Sequence, residues 1–435
     1  MKPYYDKVDK LIGVFGTKEG IYNEPDGFFL PPPKPRLHEL YMKKGADKIG
    51  IPMIPSRLSM LTRPINKDRG VCFFCSQCNR ACQVHADFSA GTCLVHPAMK
   101  KGKVDLYTHS MVRKVTTDES GKATGVSFVS KVDMKEYKLK SRVVVLGASA
   151  CESARIMMNS KSKSHPDGIG NSSGMVGRYL HDSTGTDRMA IMPSMMDRER
   201  YNEDGVGGLH MYTPWWGDNK KLNFARGYHI ESWGGMGQPA YGTGGSMDSM
   251  RKYITDEFGA PSPNGGYGTG LKKDIRKIYG STMGMSGRGE SVPMYDNYCE
   301  IDPNTVDKFG IPVLRFNYNW TDQEVNQAKH MHDTFEEILT ESGGILLGSK
   351  PGPETKYGLL APGRIIHEVG TTRMGDNPAT SVLNSNCQAH DCDNLFVVDA
   401  GPFVSQADKN PTWTILALAW RTSDYIVSEL NKKNI

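Results

Sequence analysis

The sequence predicts an α/β chain, α+β over its whole length. Part of a parallel, nucleotide-binding-type sheet is interleaved with an antiparallel-sheet domain. Three observations carry this. Residues 142–146 give an apolar run (Val143-Val144-Val145-Leu146) that ends at Gly147 and passes straight into a helix over 149–158, the local form of a nucleotide-binding crossover. The same texture returns at the end of the chain, with a strand over 395–399, a loop over 400–409 and a helix over 412–430. Between them, 184–350 reads as short aromatic β runs separated by glycine-rich loops at 233–247 and 263–270.

Taken in order, the spacing predicts a helix over 4–12. Phe28 to Pro35 carries four prolines and must be an extended surface loop, because proline fixes φ and donates no hydrogen bond. A helix follows over 38–48. Strands are expected at 104–107, 111–115 and 125–129, with a turn over 118–121. The run at 142–146 is expected to be buried on both faces, since it does not alternate. Strands at 209–212 and 224–230 follow, then a helix over 322–342. The last helix carries Ile415, Leu416, Leu418, Ala419, Ile426 and Leu430, which include a core-facing stripe. The expected divisions are 1–97, a helix and loop region with a cysteine cluster; 98–183, part of the nucleotide-binding domain; 184–350, a substrate domain; and 351–435, a closing segment.

The 435 residues carry 53 basic and 48 acidic side chains, a net charge of +5. That is too dilute for a nucleic-acid footprint. No stretch approaches the ~18 apolar residues of a transmembrane span, and residues 1–13 lack the apolar core of a signal peptide, so the compartment, cytoplasmic or periplasmic, is unassigned. Glycine is high at 47 residues, and most of it lies in loops. The GGYGTG at 265–270 follows no buried strand and has no acidic partner at the right distance, which argues against a phosphate site.

HEVGTTRMG at 367–375 and NLFVVDAGPF at 394–403, followed by NPTWTILALAWRTSDYI at 410–426, are the most specific segments. With VVVLGASACESARIMMNS (143–160) and GNSSGMVGRYLHDS (170–183) they resemble, in order over nearly the whole chain, the glucose–methanol–choline (GMC) flavin oxidoreductases. The resemblance implies an FAD-binding Rossmann-like domain and hydride transfer from a CH–OH group of a sugar, glycoside or polyol to the flavin. It makes His367 the acceptor of the hydroxyl proton, a role suited to a neutral imidazole with an ordinary pKa of about 6.5. Asn410 becomes the second polar group that orients the hydroxyl. Asn410-Pro411-Thr412 also reads as a helix start, with Asn as N-cap and Pro at the first turn. In the family, Asp399 and Ala400 lie against the ribityl–pyrophosphate portion, Pro411 and Thr412 begin a helix aimed at the flavin, and Val112 matches the position whose backbone holds adenine. As bare residues, His367 is equally a satisfied buried histidine and Val112 an ordinary strand valine. Trp215, Trp216 and Trp233 are candidate sugar-stacking surfaces, each more simply read as core.

Four of the nine cysteines, Cys72, Cys75, Cys78 and Cys82, fall within eleven residues as C-x2-C-x2-C-x3-C. The packing is that of a ferredoxin-type run more than of two separated zinc knuckles. An iron–sulfur cluster (3Fe-4S or 4Fe-4S), zinc, and disulfides or free thiols all remain open, with Cys93 a further candidate ligand. Cys72, Cys78 and Cys82 resemble the three-iron motif of membrane-linked sugar dehydrogenases of this family. That resemblance implies single-electron delivery to a cytochrome or quinone, with a small partner subunit. The strand and G-x-G-x-x-G with which the family opens are not found in the sequence, which begins at a point resembling the end of a member's first quarter. The expectation is a truncated or split form whose FAD binding needs a separate N-terminal piece. The alternatives are an iron–sulfur electron-transfer subunit and a flavin-free remnant.

Overall fold

A computed structural model describes residues 1–75, 78, 81–199, 201, 209–236 and 268–435. The expected mixture of helices with parallel and antiparallel sheets is present. The fold is organised by two apolar clusters. The first surrounds a three-stranded sheet ordered Gln388–Ala389, Cys392–Val397, Val144–Leu146, in which the last two strands run parallel. Leu395, Val397, Val144 and Leu146 pack there against Ala154 and Met157 of the Ala150–Asn159 helix. Ser149 caps that helix, its Oγ accepting from Glu152 N, as expected of a serine before an apolar run. The run at 142–146 departs from expectation: only Val144–Leu146 is strand, and Val145 is 47% exposed. One of its faces therefore opens outward.

The second cluster fills one face of a six-stranded antiparallel sheet. Its order is Ile345–Leu346, Asp187–Ile191, Thr282–Gly289, Tyr228–Gly234, Met211–Thr213, Ile54–Pro55. The helices Asp322–Glu341 and Leu37–Lys48 cover that face. Methionine dominates the contact, with Met42, Met192, Met211, Met283, Met285 and Met331 meeting Phe335, Ile338 and Leu339; its unbranched thioether fills irregular gaps. Thr321 and Glu324 form a capping box at the start of the long helix. Trp215 meets Trp216, Phe224 and Tyr228 at tilted ring angles, and Trp215 and Trp216 pack against this cluster; Trp233 bonds Ser286 through Nε1.

The strands Ser110–Thr117, Ala123–Ser130 and Glu136–Lys140 make a separate antiparallel sheet, and Asp118 closes its first turn on the backbone of Ser120 and Lys122. Residues 104–107 are not a strand: Val104, Leu106 and Tyr107 are exposed, and alternation alone cannot hold a strand that finds no neighbour. Residues 224–227 likewise precede their strand, which begins at Tyr228. Much of the 233–247 loop and Gly265 to Tyr267 of GGYGTG lie outside the described residues; Gly268 already begins a helix, Gly268–Ile278. Among the described residues no helix is long and apolar enough to cross a membrane.

Gly177 ties the strand Tyr298–Val306 to the 367–375 segment. Its N–H donates to Thr371 O, its carbonyl accepts from Cys299 N, and its φ is +89°. A Cβ there would lie 2.1 Å from Cys299 O. Gly177→Ala is expected to cost about 1–3 kcal/mol from backbone strain alone, read as a lower urea midpoint; an unchanged midpoint would show that the backbone relaxes around it.

Candidate active site

The carboxyl ends of Val144–Leu146 and Cys392–Val397 carry the loops that build the site, the position where open α/β sheets take ligands. Backbone bonds join the two C-terminal loops: Gly370 N to Ala400 O, Thr372 N to Gly401 O and Met374 N to Pro402 O. Thr371 Oγ1 donates to Ala150 O at the start of the Ala150–Asn159 helix. Asp399 is held between the layers. Its carboxylate accepts from Ser153 Oγ and from Gly401 N, and burial pushes it above the ordinary carboxylate range. Among these bonds Thr372 Oγ1 and Gln406 Oε1 are buried without hydrogen-bond partners among the described residues, on residues at most 1% exposed. A sealed, unpartnered polar atom costs about 1–3 kcal/mol, so these loops are built to meet a polar group.

His367 enters from residues 363–369. His181 and Val369 exchange backbone hydrogen bonds. Between them, the buried Asp182 carboxylate accepts from His367 N (2.9 Å), Gly363 N (3.1 Å) and Ser183 N (2.8 Å). Burial drives Asp182 up to about 6 even so. The His367 ring is half-buried, with Nδ1 3.2 Å from Ser183 Oγ. Burial pushes the ring down to about 4, which keeps it neutral at ordinary pH. Glu231 opposes that shift, while Arg288 and His229 add to it.

These last three form a polar group on neighbouring strands. Arg288 Nη2 lies 3.4 Å from Glu231 Oε2 and His229 Nε2 3.5 Å from Glu231 Oε1. Burial alone would raise Glu231, but His229 and Arg288 outweigh it and hold the carboxylate below its ordinary range. His229 Nδ1 bonds Asp408 O, tying the 399–410 loop to the antiparallel sheet.

The structure thus gathers His367, Asp399 and Ala400 on adjoining loops. Asn410 stands at the far end of the 399–410 loop, exposed. It is not the helix cap: the helix runs Thr412–Lys432, Pro411 occupies the cap position and no side chain caps it. Proline supplies no capping side chain, and its fixed φ sets the turn one residue later than the Asn-Pro pattern predicts. Thr412 is exposed at the first turn. Val112 lies mid-strand opposite Phe128 and packs on the first apolar cluster.

The cysteine run does not assemble. Among the described residues no three or more His, Cys, Asp or Glu side chains are arranged to hold a metal ion. Cys75, Cys82 and Cys93 are free thiols. The chain reverses at Phe74, Ala81 and His85, all at positive φ. Burial raises the Cys72 thiol in the metal-free chain. Among the described residues, Cys72, Cys75, Cys78 and Cys82 are not gathered into an iron–sulfur or zinc ligand set.

Sequence reasoning missed Asp182, Ser183, Gln406 and the Glu231–Arg288–His229 group. Asp182 and Ser183 close a segment already singled out, and a buried acid beside a candidate base was a usable signal. Gln406 fell between two motifs and carried none.

Family models described as GMC oxidoreductase match residues 40–184 (the N-terminal model) and 295–419 (the C-terminal model). The chain is 28% identical over 431 residues to 2-methyl-1,2-propanediol dehydrogenase of Mycolicibacterium austroafricanum, covering 98% of this chain and 73% of that one. It is 24% identical to the gluconate 2-dehydrogenase flavoprotein of Pantoea cypripedii, covering 97% and 69%. A crystal structure of pyridoxine 4-oxidase from Mesorbium loti shares the fold at TM-score 0.57 and 14% identity, over 92% of this chain and 73% of that one.

Proposed function

Because the chain belongs to the GMC oxidoreductase family, whose members oxidise alcohols and sugars, we propose that it dehydrogenates a CH–OH group of a sugar, glycoside or polyol, with His367 as the base. One observation carries this reading. His367 is a neutral histidine whose Nε2 takes no hydrogen bond from the described residues and is not sealed from solvent, beside loops whose buried Thr372 and Gln406 lack partners.

FAD, implied by the family, supplies a two-electron acceptor for the hydride when bound. The residues present fit a polar cofactor at the 370–374 and 399–406 loops. Asp399, Ala400, Thr372 and the helix start at Pro411 and Thr412 would hold it, with Val112 toward its adenine end. Asp182 fixes the 363–367 backbone so that the imidazole enters at one angle. His367 takes the hydroxyl proton, and Asn410, projecting from the same loop as Gln406, steadies the hydroxyl oxygen. Glu231 and Arg288 present an acceptor and a donor side by side, a pairing suited to neighbouring hydroxyls. Electrons then pass to a cytochrome- or quinone-class acceptor, for which a small partner subunit is a candidate. No electron step is routed through the cysteines.

The test is anaerobic bleaching of the FAD-loaded protein by a panel of sugars, glycosides and polyols; no bleaching by any of them would defeat the reading. The pH profile is a second test. His367 works as a base only when neutral, and its folded pKa lies at about 4. The rate of cofactor reduction should therefore stay flat from about pH 8 to about pH 6 and fall only on approach to about 4. A tenfold loss between pH 7 and pH 6 would place the base elsewhere.

A further inference from the structure

A neutral imidazole accepts a proton only at the nitrogen that carries none, and the bond made by the other nitrogen decides which that is. His367 Nδ1 faces Ser183 Oγ at 3.2 Å. Ser183 is fully buried, and its Oγ meets, besides His367, the side-chain amide of Gln406 at 2.8 Å. A hydroxyl has a single hydrogen to give and can accept two.

In the structure Gln406 Nε2 donates to Ser183 Oγ. With Gln406 as a donor, the buried hydroxyl hydrogen meets one acceptor among the described residues, His367 Nδ1; given there, it leaves the neutral ring's own proton on Nε2. Such a ring can donate from Nε2 but cannot accept there. With the Gln406 amide turned over, Oε1 accepts the Ser183 hydroxyl, Ser183 accepts from Nδ1–H, and Nε2 keeps a free lone pair. The turn breaks no other bond of this amide, because its second end, Oε1, is buried without a partner.

We propose that Ser183 and Gln406 are positioning residues, a hydrogen-bond chain whose direction sets the proton of His367 at Nε2 in the free protein and at Nδ1 when the base acts. The proposal rests on His367 being the base. In the acting direction the substrate O–H bond breaks, an Nε2–H bond forms, and the imidazolium keeps its Nδ1–H on Ser183 while Ser183 still donates to Gln406 Oε1. No proton leaves the chain. The titratable and charged groups facing the ring are Glu231, Arg288 and His229 on the antiparallel sheet and Asp182 at its backbone. None of them bonds Nδ1, so the Ser183–Gln406 pair is what can choose the tautomer.

The test uses the whole chain with 15N-labelled histidine, the His367 ring signals being assigned by their loss in His367→Ala. At neutral pH without substrate the ring should be protonated at Nε2. Ser183→Ala and Gln406→Met should each convert it to a mixture of tautomers. Gln406→Glu, whose ionised carboxylate can only accept, should drive the proton to Nδ1. In the FAD-loaded enzyme, Ser183→Ala and Gln406→Met should each slow cofactor reduction about tenfold or more with little change in KM, and the double variant should be no slower than either. Should Ser183→Ala fail to fold, the two Gln406 variants carry the same test. A tautomer indifferent to these substitutions overturns the proposal. If His367→Ala leaves cofactor reduction intact while the tautomer responds, the base assignment fails and the chain stands as a structural device. If His367→Ala slows reduction and the tautomer does not respond, the chain alone fails.

Discussion

His367→Ala is expected to slow substrate-dependent reduction of bound FAD by about 10²–10⁴, the range for removing a positioned general base. The substitution is well isolated. The tie from His367 N to Asp182 is a backbone bond, so alanine keeps the loop in place. The ring is only half-buried, so its removal leaves little void. Asp399, Ala400 and Thr372 are untouched, and FAD content should match that of the unsubstituted protein. Stopped-flow reduction at saturating substrate separates the chemical step from binding. A rate within a factor of about three of the unsubstituted protein, at equal FAD content, would remove His367 from the mechanism. Asn410→Ala should cost less, since an exposed residue that only steadies the hydroxyl leaves the proton acceptor in place.

That contrast marks how far the sequence was legible. His367, Asp399 and Ala400 could be singled out as candidates because each sits inside a motif whose local form, a loop closing on a strand end, is set by neighbours in sequence. The helices over 37–48, 150–159, 322–341 and 412–432 were readable for the same reason: their apolar periodicity is local. Burial by distant elements was not. The run Val143-Val144-Val145-Leu146 looks apolar on both faces, yet what covers each face is decided by segments far away, and Val145 is exposed. Val104 to Tyr107 had the side chains of a strand and no partner. Cys72, Cys75, Cys78 and Cys82 had the spacing of ligands, but convergence depends on the turns between them. Gln406 was illegible for a different reason. A glutamine in a loop has no pattern, and its role comes from Ser183, more than 200 residues earlier.

Glu39→Ala is expected to destabilise the fold by about 3–5 kcal/mol, the cost of breaking a buried ion pair from one side. Glu39 is completely buried. Its Oε1 accepts from Arg36 Nη2 (2.9 Å), His210 N (2.7 Å) and Met211 N (3.2 Å), and its Oε2 accepts from Arg36 N (2.7 Å). One carboxylate thus caps the Leu37–Lys48 helix and anchors the strand Met211–Thr213. Alanine takes the counter-charge from a buried guanidinium and the acceptor from the backbone of two elements at once. Against a typical stability of about 5–15 kcal/mol, the loss is severe. The pH dependence identifies the cause. Burial alone would raise Glu39, but Arg36 outweighs it and the folded pKa lies below the ordinary 4.5. Its contribution is therefore complete above the unfolded value and is lost as pH falls through the folded one. Asp182 has the opposite sign: raised to about 6, it favours the fold when protonated, and its stabilisation declines as pH climbs from its unfolded value toward 6. The gap in urea midpoint between Glu39→Ala and the unsubstituted protein should thus be widest near pH 7 and narrow as pH falls below 4.5, while that for Asp182→Asn shifts between pH 4 and 6. Because Met211–Thr213 pairs with the strand bearing His229 and Glu231, Glu39→Ala should also weaken substrate oxidation at temperatures where the chain is still folded. Equal midpoints at pH 7 would mean that the helix and the strand hold each other without this carboxylate.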